Sequence, residues 1–327
     1  MFRRIGEEMM RKTAMGGLVA AMLMLAGPVA AQPRAAIEDP EANIVEELVV
    51  QAREPGPAWW KVSDADTTVY ILGLADERLP KGVDWDQRWL QRRMKGANSL
   101  IVGTRVSLRA GIKDVPALLR ARSKLKSKAP LETTLPEPLR VRFVAARERA
   151  GQPAKRYAGW TPLMAGAQLT SDAQKADTGP SAMDQIIKLA KANKVKVVDP
   201  ARYQAMPFVN AALGSLTPAI HEQCLDGALR DLEAPKGQAR AAAEGWARGD
   251  VGKALTAPRS FEKCLLLLGG GADLWRRMTA DQAAAIVTAL ETPGHSVAVV
   301  SLRPLLAEGG VVSQIRLRGV DVEGPGG

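Results

Sequence analysis

From Trp59 onward the apolar positions fall into a strand, strand, helix, strand pattern. Trp59–Ser63 and Thr67–Gly73 are aromatic and β-branched runs split by Asp64-Ala65-Asp66, the composition of a hairpin. Trp85–Lys95 brings Trp85, Trp89 and Met94 near one face of a helix. Leu100–Val106 reads as the core of the next strand, within Ser99–Leu108. This ββαβ order suits an α/β sheet better than a sandwich.

The pattern then turns mainly helical. Ala117–Leu125, Pro136–Ala150 and Trp160–Leu169 are helix candidates, the second stopped by Gly151-Gln152-Pro153. Lys175–Pro180 reads as a polar loop. Ser181–Asn193 is amphipathic, with Met183, Ile186, Ile187 and Ala190 inward, and leads into a short strand at Val195–Val198 and a turn at Asp199-Pro200. From Tyr203 to Met278 the pattern is almost wholly helical, punctuated by Pro258 and Gly269-Gly270-Gly271. A further helix at Ala280–Leu290, an apolar strand at Ser296–Leu302, a helix at Gly309–Arg318 and a short strand at Val320–Glu323 complete the chain. The sequence therefore predicts one mixed-sheet α/β domain over 57–323, with a helical insertion at about 203–278.

The N-terminus has the order of an export signal. Arg11 and Lys12 precede an apolar run from Ala14 to Ala26, and Val29-Ala30-Ala31 supplies small residues for cleavage before Gln32. Met10 serves as a start as well as Met1 does. An uncleaved anchor is the alternative, but the run is shorter than the roughly 20 residues a span needs. Residues 32–56 read as a flexible lead-in, with one short strand at Glu46–Ala52. The expected location is the periplasm or the exterior, and no later stretch is apolar enough to cross a bilayer.

Composition adds little chemistry. The net charge is +10, which ordinary solubility explains more readily than attraction to an anionic surface or polymer, and a protein or an anionic envelope component is the candidate partner. No basic motif is interleaved with aromatic residues, so nucleic acid is not expected as a partner. Cys224 and Cys264 are the two cysteines, and in an oxidising compartment an even pair favours a disulfide over two separate thiols. Gly269-Gly270-Gly271 lacks the Lys-Ser/Thr of a phosphate loop and reads as a helix break. Asp76-Glu77 and Asp84–Asp86 gather carboxylates after the hairpin, which suits a solvated loop and helix cap more than acid–base chemistry. Trp59-Trp60 point to opposite faces of a strand and read as packing residues.

Residues 58–80 resemble the opening of TraB/GumN-type proteins, the group that includes the TIKI metalloproteases and shares a TIKI/ChaN-like fold. The strand Ala97–Gly103, the helix–strand unit Met183–Asp199 and the block Val297–Arg303 followed by Gly309-Gly310-Val311 extend the likeness. The resemblance implies two related halves, each with a Gly-x-x-His motif, and a divalent metal such as Mn or Co in members that hydrolyse peptides. The matching positions depart from that pattern. The first motif reads Gly73-Leu74-Ala75-Asp76, with Asp76 at the histidine; the second reads Val300-Ser301-Leu302-Arg303, with Arg303 at the histidine. The acidic position of the third strand falls at Gly103, and the later one at Asp199. Arginine has no acceptor and cannot ligate a metal.

The two histidines of the chain do not fill the gap. His221 is not part of a His-Glu-x-x-His motif, because residue 225 is Leu. His295 stands before the last core strand, which runs about 20 Å, and so falls at the wrong strand end. The expectation is a pseudoenzyme without cofactor, acting as a binding or scaffold protein of the envelope, in which Asp76 and Arg303 face each other across the former site. The alternative is a divergent metal-dependent peptidase or hydrolase using Asp76 and Asp199.

Overall fold

The computed structural model describes residues 39–76, 78–107, 114–175 and 177–326. The stretch expected to be an export signal, and Glu77, lie outside the described residues. Among the described residues there are nine strands: β1 (Trp59–Ser63), β2 (Thr67–Leu74), β3 (Arg78–Pro80), β4 (Ser99–Ile101), β5 (Arg105–Ser107), β6 (Thr178–Ser181), β7 (Lys196–Val198), β8 (Arg202–Gln204) and β9 (Gly294–Ser301).

Five of them form a mixed sheet in the order β1-β2-β9-β4-β7. The predicted hairpin is there: β1 runs antiparallel to β2, with Trp59 opposite Leu72 and Ser63 opposite Thr68. Asp64 closes its turn, its Oδ1 accepting from the Thr67 amide at 2.9 Å. The other contacts of the sheet are parallel, β2 to β9, β9 to β4 and β4 to β7. β9 is buried from Ser296 to Val300, which explains its unbroken apolar run. Helices flank this sheet, and the protein is of the α/β class.

The amphipathic helix forms at Ala182–Ala192, opened by Ser181, whose hydroxyl accepts from the Asp184 amide at 3.1 Å. Its buried side is Ala182, Ile186 and Ala190. The expected helix after the hairpin is shorter than its apolar pattern, at Arg88–Met94.

Five expectations are corrected. The polar loop contains β6, paired antiparallel with β3; Gly179 lets the strands meet there, because a Cβ on it would lie 2.9 Å from the Leu79 carbonyl. The strand core at Leu100–Val106 is two strands, β4 and β5, interrupted around Gly103. β5 pairs parallel with β8, which falls in the stretch expected to be helical. Val320–Glu323 makes a single bridge, Lys61 to Glu323, instead of a strand. Finally, residues 39–56 are not a loose lead-in. Ile44 bridges Ala307, Gln51 bridges Asp250, Glu46–Leu48 is a 3-10 turn, and Leu48 and Glu41 are buried.

The helices Pro218–Glu233 and Ser260–Leu266 are joined by the Cys224–Cys264 disulfide, with Cα atoms 5.3 Å apart. Leu225 and Leu229 share a core with Phe143 of the helix Glu137–Arg149 and with Ala165 and Leu169 of the helix Pro162–Gln174. Among the described residues no helix is long and apolar enough to cross a membrane.

Candidate functional site at the carboxyl edge of the sheet

Parallel sheets bind ligands outside the carboxyl ends of their strands, where the strand order reverses. Here β9 enters between β2 and β4, and the four positions picked out by the sequence all follow the carboxyl ends of the parallel strands. Leu74 is level with Ser301, so Asp76 and Arg303 each come two residues beyond a matched pair. Ile101 is level with Val198 and Ala298, so β4 and β7 end earlier than β2 and β9, and Gly103 and Asp199 follow their own carboxyl ends at about the level of Val300 and Val299.

Gly73 is level with Val300 in this register, and its lack of a side chain has a steric reason. A Cβ would sit 2.7 Å from both Leu302 Cδ1 and Trp60 Cζ3. Trp60 is fully buried and its ring cannot yield. The Gly73 carbonyl also accepts from Trp246 Nε1 at 2.6 Å, fixing the strand end to the helix Gln238–Ala247. Gly73→Val is expected to cost about 1–3 kcal/mol by overpacking, read as a lower urea midpoint with unchanged m-value.

Past Gly73 the chain turns away. Asp76 Oδ1 accepts from the Arg78 amide at 3.2 Å. Asp76 and Arg78 edge a cleft of about 340 Å³ that is also lined by Asp177 and Thr178. Its floor is made of small apolar residues: Ala239, Ala242 and Ala243 from one helix face, with Ala254 and Ala257 beside them. Arg240 holds Asp177 at 3.0 Å.

Arg303 is not among the residues lining this cleft. Its guanidinium donates to the Leu255 carbonyl and stands within the field of a buried ion cluster. In that cluster Arg259 Nη1 donates to Asp39 Oδ2 at 2.7 Å, and Arg259 Nη2 to Glu41 Oε2 at 2.8 Å. Trp275 Nε1 donates to the other Glu41 oxygen at 2.8 Å. Glu41 is 1% exposed and Arg259 8%. Burial, with the positive charge of Arg259 behind it, lowers the pKa of Arg303. Burial opposes the charge of Arg259 too, but the bonds and charges of Asp39 and Glu41 outweigh it and raise its pKa. Burial and the charge of Glu262 raise Glu41, against the pull of Trp275 and Arg259. Asp76 and Arg303 thus share a strand level while Asp76 accepts from the Arg78 amide and Arg303 donates to the Leu255 carbonyl.

The donor set does not fit a metal ion. Gly103 offers no side chain, and Arg303 is a cation where the resemblance requires an imidazole. Asp199 Oδ2 is held by Arg202 at 2.8 Å. It follows β7, and two strands stand between β7 and β2. Three strand spacings of about 4.8 Å put the two strand ends about 14 Å apart, against metal–oxygen bonds near 2 Å. Among the described residues no three His, Cys, Asp or Glu side chains are grouped to hold a metal. His295 lies opposite Thr68 at the amino end of β9, where its Nε2 meets the Arg93 carbonyl at 3.0 Å. His221 is in the helix Pro218–Glu233, its pKa lowered by burial and by Lys124.

The edge of a mixed α/β sheet, with paired motif positions on adjacent parallel strands, defines the class of protein. The sequence profile of the TraB/PrgY/gumN family matches residues 58–324. The chain belongs to that family. No curated protein and no solved structure matches it.

Sequence reasoning missed Glu41, Arg259 and Trp246. Glu41 and Arg259 are 218 residues apart in sequence, and nothing local marks either as a buried charge. Trp246 carried a signal, being a lone large aromatic in an alanine-rich helix.

Proposed function

We propose that this TraB-family protein is exported to the cell envelope and binds a partner there without hydrolysing it. The observation that carries the reading is Arg303. At the position of the second motif histidine stands a half-buried guanidinium bonded to a backbone carbonyl and set against a buried ion cluster. Such a group repels a metal and contributes to packing instead. The disulfide supports an oxidising compartment, in keeping with the export signal. The cleft beside Asp76 has room for a few side chains, so the ligand it fits is a short segment of a partner chain. The alanine floor takes its apolar part and the rim of Asp76, Arg78 and Asp177 its polar part.

The reading is tested by incubating the purified protein with unstructured peptides and added Mn²⁺, Co²⁺ or Zn²⁺. Hydrolysis at the enzyme-free rate, unaffected by chelator, is expected. Chelator-sensitive cleavage that is lost in Asp76→Ala would establish the hydrolase reading instead.

A further inference from the structure

The helix Val115–Leu125 is attached to the fold by little of its surface. Of its 11 residues only Ala121 is buried. It rests near the helix Ala205–Ser215, and Lys124 Nζ donates to the Leu213 carbonyl at 2.8 Å. Val115, Leu118 and Leu119 are 46%, 39% and 62% exposed. With Arg122 they follow the spacing that brings residues onto one helix face.

The same stretch is charged with one sign. From Val115 to Pro130 the chain carries Arg120, Arg122, Lys124, Lys126 and Lys128 and no acidic residue. The acidic residue at its start is Asp114, the N-cap of the helix, and the ion pairs found among the described residues pass from Arg93 to Arg140 without using any of these five cations. Lys126 instead sits 3.2 Å from the centroid of the Trp160 ring, at the end of the helix.

Val115, Leu118 and Leu119 are exposed together on one helix, and an exposed apolar patch rimmed by polar residues marks an interaction site. The cations beside them specify the charge of what binds there. We propose that this face docks on a lipid bilayer with anionic headgroups, with Leu118 and Leu119 entering the acyl boundary and Arg120, Arg122 and Lys128 meeting the phosphates. Trp160 beside Lys126 is the residue type that favours the headgroup level. A soluble polyanion would satisfy the cations and leave the leucines in water. The proposal stands independently of what the carboxyl edge binds.

The test is co-sedimentation of the purified protein with two kinds of vesicle, phosphatidylcholine alone and phosphatidylcholine mixed with phosphatidylglycerol. Binding to the mixed vesicles is expected to exceed that to the neutral ones and to weaken with added salt. Leu118→Ser/Leu119→Ser is expected to weaken it about tenfold or more. Arg120→Ser/Arg122→Ser is expected to do the same, at about fivefold per charge. Both pairs are on the surface, and an unchanged thermal midpoint verifies that the variants are folded. Soluble polyphosphate is the control ligand: the leucine variant retains whatever affinity the wild type has for it. Equal binding to both vesicle types, or a leucine variant that sediments like the wild type, overturns the proposal.

Discussion

Arg259→Met is expected to destabilise the protein by about 3–5 kcal/mol. The arginine is 8% exposed and holds Asp39 and Glu41 together, so its removal strands a carboxylate that is 1% exposed. Met fills similar space, so lost packing is not the main cost. Without the guanidinium the Glu41 carboxyl, already raised by burial, moves further up. The measurement is urea unfolding followed by far-UV circular dichroism. A double variant, Arg259→Met with Glu41→Gln, is expected to recover part of the loss, because the stranded charge is then gone. If Arg259→Met is as stable as the wild type, the cluster is not the structural support of the Arg303 position.

Loss of the disulfide is the second large effect. Cys224 and Cys264 are 40 residues apart. In the chain-entropy account, closing a loop of that length limits the unfolded ensemble by about 4 kcal/mol, so Cys224→Ala/Cys264→Ala is expected to lose roughly that much. The sulfurs are also part of an apolar cluster with Leu163, so two small alanines there leave a void that adds to the loss. Differential scanning calorimetry of the wild type with and without reductant separates the terms. Reduction alone removes the cross-link and leaves most of the volume filled. Because both sulfurs are buried, the reductant is added in denaturant and the protein refolded with it present; a thermal midpoint unmoved by that treatment would mean that the bond does not stabilise the folded protein.

How much of this was legible in the sequence depended on whether a signal was local. The hairpin β1–β2 declared itself through a β-branched run, an Asp-Ala-Asp turn and a second run. The helix Ala182–Ala192 was visible because an amphipathic stripe coincided with a Ser cap, and β9 because strands buried on both faces are continuously apolar. The disulfide followed from there being two cysteines and an N-terminus with the order expected of an export signal. The strands β3, β6 and β8 were not legible, because their 3 or 4 residues are polar or proline-containing and carry no apolar run, whereas β4 and β7, equally short, declared themselves by theirs. The ordered lead-in was hidden for another reason. Its anchors are a charge pair and backbone bridges, and charged residues in a polar segment read as solvated until a partner far along the chain is placed beside them.

The candidate site divided in the same way. The motif positions could be placed by resemblance, and the sheet register puts them on one edge. Their contacts could not be read, because Asp76 turns with its loop toward the alanine-floored cleft while Arg303 turns toward Leu255 and the ion cluster. The reason for Gly73 needed Trp60, Leu302 and Trp246, which converge from three parts of the chain.

The central claim is that the carboxyl edge has exchanged a metal centre for a structural arginine. Isothermal titration of the purified protein with Mn²⁺, Co²⁺ and Zn²⁺ tests it most directly. The account predicts no stoichiometric heat with any of the three ions. One equivalent of ion bound by the wild type, and lost in Asp76→Ala, would contradict it.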